Sequence, residues 1–106
     1  MKYSKYKIPN WYDGTIITNI QIGNKIVRLL KLTYDKLLPE EGVHNLIALD
    51  KEDNIVWIAE LPSGTTSSSY DMIKYSEDKL KAWAGSYYCE IDIETGKLLK
   101  QQFYTI

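Results

Sequence analysis

Few residues of this chain have the types and spacing that catalysis requires. The chain has 106 residues with one histidine, His44, and one cysteine, Cys89. A covalent mechanism needs a base beside its nucleophile, and no Gly-x-Ser-x-Gly elbow surrounds any serine. A structural zinc site needs four ligands, mostly cysteine and histidine, which this count excludes within one chain. We therefore predict no catalytic residue, no metal site and no cofactor, and we place His44 at a strand edge where it can contact a partner.

Acidic side chains come in three close pairs, which are Asp50 with Asp53, Asp92 with Glu94, and Glu77 with Asp78. A glycoside hydrolase needs two carboxylates that face one cleft at a defined separation. These pairs fall instead at predicted hairpin tips, where acids close turns and face solvent. The segment 50–54 carries a lysine and lacks the glycine of a calcium loop. An enzyme that combines His44 with a carboxylate stays as the lesser alternative, and it predicts that His44→Ala abolishes activity without unfolding the protein.

Aromatic residues are the unusual part of the composition, with three Trp, nine Tyr and one Phe. Tyr and Trp combine a large apolar contact area with a polar group, and they are enriched at interfaces. Trp57 lies mid-strand among apolar residues, which predicts a core position. Tyr87 and Tyr88 are neighbours on a predicted strand and point to opposite faces, so at least one of them faces outward. The candidate binding residues are Trp11, Tyr12, His44, Trp83, Tyr87 and Tyr88.

Charge is divided unevenly along the chain, although its formal net value is −1. Residues 1–36 carry seven basic and two acidic side chains, a net +5, whereas residues 37–106 carry six basic and twelve acidic ones, a net −6. Such asymmetry can mark an interaction surface, or the two halves can neutralise each other in space. Only one arginine is present, so we predict no nucleic-acid binding.

The compartment is predicted from what the sequence lacks. No apolar run approaches the roughly 20 residues of a membrane span, and the charged first residues lack the apolar stretch of a secretory signal. Cys89 lies within an apolar alternation and is predicted to be a buried, unpaired thiol. We expect a cytoplasmic protein of bacterial type without a membrane partner.

Hydrophobic periodicity and turn residues predict a chain of strands. Residues 15–22 are rich in β-branched types, and Gly23-Asn24 suits a two-residue hairpin turn that leads into residues 25–34. Residues 77–84 are ambiguous, because their propensity favours a helix whereas the surrounding pattern favours a strand. The other predicted strands are residues 44–50, 55–60, 87–93 and 97–105.

An internal repeat organises these strands. Residues 45–60, NLIALDKEDNIVWIAE, resemble residues 87–104, YYCEIDIETGKLLKQQFY. Each copy has an Asp at the end of a first strand, Asp50 and Asp92, then a short polar turn and a second strand. A repeat of this kind determines the architecture. The chain is therefore predicted to be one domain of two pseudo-repeats, about residues 15–60 and 70–105.

The shared pattern is an apolar residue, Asp, a few polar residues, Gly or Asn, and then Lys and apolar residues. In a gapless alignment Asn54 falls at Gly96, and both types tolerate the left-handed conformation. This pattern resembles the inner hairpin of a blade in the quinoprotein-type, PQQ-like β-propellers, and the likeness lies in residues 46–57 and 89–99. A propeller closes with about 4–8 blades, so the resemblance implies two blade-like sheets that face each other, or a chain that oligomerises. The cofactor and metal residues of quinoproteins have no counterpart here.

Together these observations predict an all-β fold of about eight antiparallel strands in two four-stranded meanders, arranged as a β-sandwich or as two propeller-like blades. An α+β fold with a helix near residues 77–84 stays open. We predict a small non-catalytic protein that binds another protein, with an immunity or antitoxin-like inhibitor as one form. A homodimer stays open. The alternative function is a carbohydrate-binding module that uses Trp11, Tyr12, Trp83 and Tyr88.

Overall fold

A computed structural model describes residues 12–32, 44–62 and 69–103 of the chain. Every regular element within these ranges is a β-strand. The strands are β1 Tyr12–Ile22, β2 Lys25–Leu32, β3 Leu46–Leu49, β4 Ile55–Ile58, β5 Met72–Ser76, β6 Lys79–Ala84, β7 Tyr87–Ile91 and β8 Leu98–Phe103. The predicted all-β fold is confirmed, and the alternative helix near residues 77–84 is wrong.

The eight strands form two sheets of four, each of which follows the order of the chain. The first sheet has the order β1-β2-β3-β4 and the second has the order β5-β6-β7-β8. All neighbouring pairs are antiparallel. Each sheet is therefore a meander, as the sequence predicts.

A single core lies between the two sheets. It combines alternate residues of both, so the sheets pack face to face. Its buried members are Val27, Leu29, Leu46, Ala48, Trp57, Ala59, Tyr70, Ile73, Leu80, Ala82, Ala84, Cys89 and Ile91. The core positions predicted for Trp57 and Cys89 are confirmed.

The two sheets differ in how their second faces are buried. On the first sheet, Leu30, Ile47, Leu49 and Ile55 point away from the shared core and are nevertheless buried. Every residue of β3 is therefore buried, which explains its uninterrupted apolar run. The corresponding face of the second sheet carries polar and aromatic side chains.

The register of β1 changes along the strand. Ile16 pairs with Leu30, whereas Thr18 pairs with Leu29, and an irregularity lies between them. A bulge of this kind reverses the alternation of side chains. Ile16 and Ile20 are four residues apart and would share a face of a regular strand. Because of the bulge, Ile20 packs against the core whereas Ile16 is exposed.

The two repeated turns do not align without a gap. In the first turn the residue with positive φ is Asp53, at 65°, and in the second it is Gly96, at 77°. The amide of Asp50 donates to the carbonyl of Asn54, whereas the amide of Asp92 donates to the carbonyl of Lys97. The second turn is therefore one residue longer, and the predicted equivalence of Asn54 and Gly96 is wrong.

The connection between β5 and β6 is a two-residue turn. Ser76 pairs with Lys79, and the residues between them, Glu77 and Asp78, have φ values of 56° and 60°. Two consecutive positive φ values define the primed turn that matches the twist of a hairpin. This turn explains why a segment of good helix formers is extended.

Several polar contacts join the two sheets, and those of Trp57 and Asn45 involve buried side chains. The Nε1 of Trp57 in β4 donates to the carbonyl of Ile93, 3.0 Å away in the β7–β8 turn. The buried amide of Asn45 donates to the carbonyls of Leu30 and Tyr70, and its Oδ1 accepts from the Tyr70 amide. Each contact joins residues distant in the chain, so these groups set how the second sheet sits on the first.

Candidate functional site

The face of the second sheet that points away from the core is the most distinctive described surface. We call it the outer face, and two rows of residues in register across β5 to β8 define it. One row is Met72, Trp83, Tyr88 and Gln102, and the other is Lys74, Lys81, Glu90 and Lys100. Strand alternation places these side chains opposite the buried ones.

An aromatic pair occupies the first row. The ring centroids of Trp83 and Tyr88 are 5.3 Å apart, and the ring planes are tilted by 53°. The hydroxyl of Tyr88 donates to Oε2 of Glu90 at 2.7 Å, and Nζ of Lys100 lies 6.0 Å from the Tyr88 ring centroid. Both rings are half-buried and Met72 beside them is exposed. The pair is therefore held in place before any ligand arrives.

Lysines dominate the charge of this face. Lys74 and Lys100 are exposed, and Lys79 at the start of β6 lies 4.0 Å from Oε1 of Glu90. Lys81 forms an ion pair of 3.4 Å with Glu77. Among the described residues, the two rows of the outer face hold three lysines and one glutamate. At the end of the face near the β5–β6 turn, Lys79 adds one positive charge and the turn residues Glu77 and Asp78 add two negative ones. The positive charge therefore lies in the rows themselves, on a chain with a net charge of −1.

A small cleft continues the outer face toward the β7–β8 turn. It has a volume of about 190 Å³, and its lining includes Lys79, Glu90, Asp92 and Leu99. Pockets for small molecules usually span roughly 300–1,000 Å³. This cleft therefore has room for one side chain of a partner rather than for a cofactor.

The structure separates the candidate residues predicted from the sequence. Trp83 and Tyr88 meet on the outer face, as described. Tyr87 points to the core face, where it packs against the core and contacts the Phe103 ring edge-on at 5.3 Å. His44 is exposed on the first sheet and its Nδ1 lies 3.0 Å from the Ala59 carbonyl. Trp11 and the side chain of Tyr12 lie outside the described part of the chain.

Several residues of the outer face could not be identified from the sequence. Met72, Lys74 and Lys100 are not among the residues predicted from the sequence, although they flank the aromatic pair. Residues 70–75 are too short to reveal a period. Only the pairing of β5 with β6 shows that Met72 lies opposite Trp83.

Buried titratable groups lie on the core side, away from this surface. Burial raises the pKa of Tyr70, and the nearby Cys89 and Glu60 raise it further. Burial also raises the pKa of the Cys89 thiol, against the opposing effect of a hydrogen bond with Tyr70. The Tyr70 hydroxyl also donates to the Glu60 carbonyl. These groups are neutral at physiological pH.

Metal-binding clusters and apolar membrane helices are both missing from residues 12–32, 44–62 and 69–103. No three His, Cys, Asp or Glu residues of these ranges converge in a way that could hold a metal ion. Within the same ranges no helix is long and apolar enough to cross a membrane.

Comparison with known proteins assigns the chain to a family. No curated protein and no solved structure matches it. A family model described as a domain of unknown function, DUF7957, matches residues 12–103, which include all eight strands. The chain belongs to the DUF7957 family.

Proposed function

We propose that this protein binds another protein through the outer face of its second sheet, without catalysing a reaction. The observation that carries the proposal is the aromatic pair of Trp83 and Tyr88, held between Glu90 and Lys100. Binding energy at protein interfaces is concentrated in a few aromatic anchors that are surrounded by polar residues. Anchors that are already ordered lose little side-chain entropy on binding.

The geometry of the pair favours a protein ligand over a glycan. A sugar or a base stacks flat on an open ring face. Tyr88 has the ring of Trp83 on one side and the ammonium group of Lys100 over its face. The two rings are also tilted by 53° and make no common plane. They suit the irregular apolar side chains of a protein surface better than a flat ligand.

An inhibitor of the immunity or antitoxin type, acting in the cytoplasm, is one form of such a protein. Inhibitors of this kind act by covering a partner's surface, so they need a rigid face rather than a deep pocket. The outer face has this character, because its aromatic pair is braced and its cleft has a volume of only about 190 Å³.

Site-specific photocrosslinking in the native cells tests the proposal. A photoreactive phenylalanine analogue at Met72, which is 52% exposed on the outer face, should crosslink to one defined protein. The matched control carries the analogue at Val56, which is 38% exposed on the first sheet, and should not. The crosslink at Met72 should disappear in a Trp83→Ala background whose thermal unfolding stays cooperative.

Two results would contradict the proposal. One is equal crosslinking from Met72 and Val56, which would mean that the outer face is not selective. The other is a saturable change in tryptophan fluorescence with a panel of neutral glycans, lost in Trp83→Ala. The second result would instead assign the face to carbohydrate.

A further inference from the structure

We infer that the partner presents an acidic surface to the outer face, with apolar side chains beside its carboxylates; this inference rests on the proposed function. The outer face has a defined pattern of charge. One row holds Met72, Trp83 and Tyr88, while the exposed Lys74 and Lys100 lie beside it in the second row. A partner that matches this face needs carboxylates beside an apolar contact.

The lysines are not fully compensated by acids of the same sheet. Of the acids described on or beside the face, Glu77 pairs with Lys81, Glu90 lies near Lys79, and Asp78 lies beside Glu77 in the β5–β6 turn. Glu90 also accepts the Tyr88 hydroxyl, which divides its charge between two contacts. Lys74 and Lys100 are both exposed, so the positive potential extends to solvent.

The same charge pattern argues against a second copy of this chain as the occupant. In a symmetric dimer through the outer face whose two-fold axis crosses the lysine row, each lysine row would lie opposite its copy. Like charges placed opposite each other cost free energy. A partner of different sequence and opposite charge avoids this cost.

Selection from a random library of 12-residue peptides tests the inference, because the natural partner does not have to be identified first. Peptides selected on the wild-type protein should be rich in Asp and Glu around one or two apolar residues. Their affinity should fall at least about tenfold between about 50 mM and about 500 mM NaCl. The double variant Lys74→Glu, Lys100→Glu should lose a similar factor.

A matched control separates local from overall charge. The double variant Lys31→Glu, Lys51→Glu changes the net charge by the same amount at exposed positions of the first sheet. It should bind the peptides with affinity within about twofold of wild type, because charges beyond the Debye length are screened. Equal losses in both double variants would overturn the inference.

The remaining outcomes separate the two proposals. Peptides that are neutral or insensitive to salt, yet depend on Trp83, would overturn the acidic partner and support protein binding by this face. Peptides that bind equally well to Trp83→Ala would contradict the proposed function itself. Polyuridylate that binds more tightly than any selected peptide, and competes with it, would replace the acidic protein with a nucleic acid. A dimer in sedimentation equilibrium that Trp83→Ala disrupts would replace it with a second copy.

Discussion

At the scale of single residues, Gly96 illustrates how one position joins the two sheets. Its φ of 77° is unfavourable for most residues other than glycine. A Cβ at this position would lie 2.7 Å from Cε3 of Trp57. The glycine of the second copy thus lets the indole of the first copy lie against its backbone. The carbonyl of the same residue accepts the amide of Glu60 at 3.0 Å.

Gly96→Ala should lower the free energy of unfolding by about 2–5 kcal/mol. The positive φ contributes roughly 1–2 kcal/mol, and the clash with Trp57 adds about 1–3 kcal/mol. Gly23→Ala is the matched control, because Gly23 has a φ of 60° but an added Cβ would have no atom within 4 Å. That variant should lose only the contribution of the positive φ, as urea unfolding monitored by circular dichroism would show. Equal losses in both variants would mean that the indole can move aside.

For the candidate site, the sequence predicts the direction of a side chain but not its neighbours. That Tyr87 and Tyr88 lie on opposite faces follows from the alternation of a strand, and the structure shows Tyr88 on the outer face. Which residues surround Tyr88 does not follow from alternation. Trp83 and Lys100 approach it only because β6 and β8 flank β7 in a particular register.

At the scale of elements, a turn decides the secondary structure of a segment whose residue types favour a helix. Residues 77–84 contain good helix formers, yet β6 is extended because the turn at Glu77 and Asp78 returns the chain antiparallel to β5. Backbone pairing with β7 on the other side completes the strand. These long-range bonds outweigh a helix preference of a few tenths of a kcal/mol per residue.

Replacing Asp78 by glycine should stabilise the protein by about 0.5–1 kcal/mol. Asp78 has a φ of 60°, and glycine is the residue preferred at the second position of this turn. Lys51→Gly is the control, because Lys51 is exposed in a turn and has no positive φ. There the added backbone freedom of the unfolded chain should cost about 0.5–1 kcal/mol. Thermal melts should therefore shift in opposite directions, and shifts of the same sign would contradict the assigned turn.

At the scale of the whole molecule, the two sheets meet around Tyr70 and Cys89. Tyr70 lies in the segment between the sheets, where Asn45 bonds its backbone and the Glu60 carbonyl accepts its hydroxyl. Tyr70 and Cys89 are neutral acids whose pKa values burial raises above 10.0 and 9.0 respectively. An acid whose pKa is higher in the folded state than in the unfolded state stabilises the fold fully when the pH is below its pKa in the unfolded state. That contribution is lost as the pH rises, because the unfolded state releases the protons first.

The free energy of unfolding should therefore fall as the pH rises above about 9. Cys89→Ala removes the thiol from this balance, so the free energy of unfolding of this variant should fall less between pH 8 and pH 10 than that of wild type. Urea unfolding at intervals of half a pH unit measures both curves. Parallel curves would show that the thiol is accessible to solvent in the folded state.

The likeness to propeller blades stays a prediction at this scale. The structure contains two meanders packed face to face. Each repeats the Asp-closed turn, in which the carboxylates of Asp50 and Asp92 accept turn amides. Neither feature requires a propeller ancestor.

The sequence by itself determined most of the strands, the meander order and the buried positions of Trp57 and Cys89, because these depend on local alternation and on turn residues. It did not determine the bulge after Ile16, the left-handed residue of the first turn or the composition of the outer face. Those depend on which strand lies beside which and by how many residues they are offset. A shift of one residue exchanges the two faces of a strand. Only the tertiary structure therefore decided that Trp83, Tyr88 and the lysines share one surface.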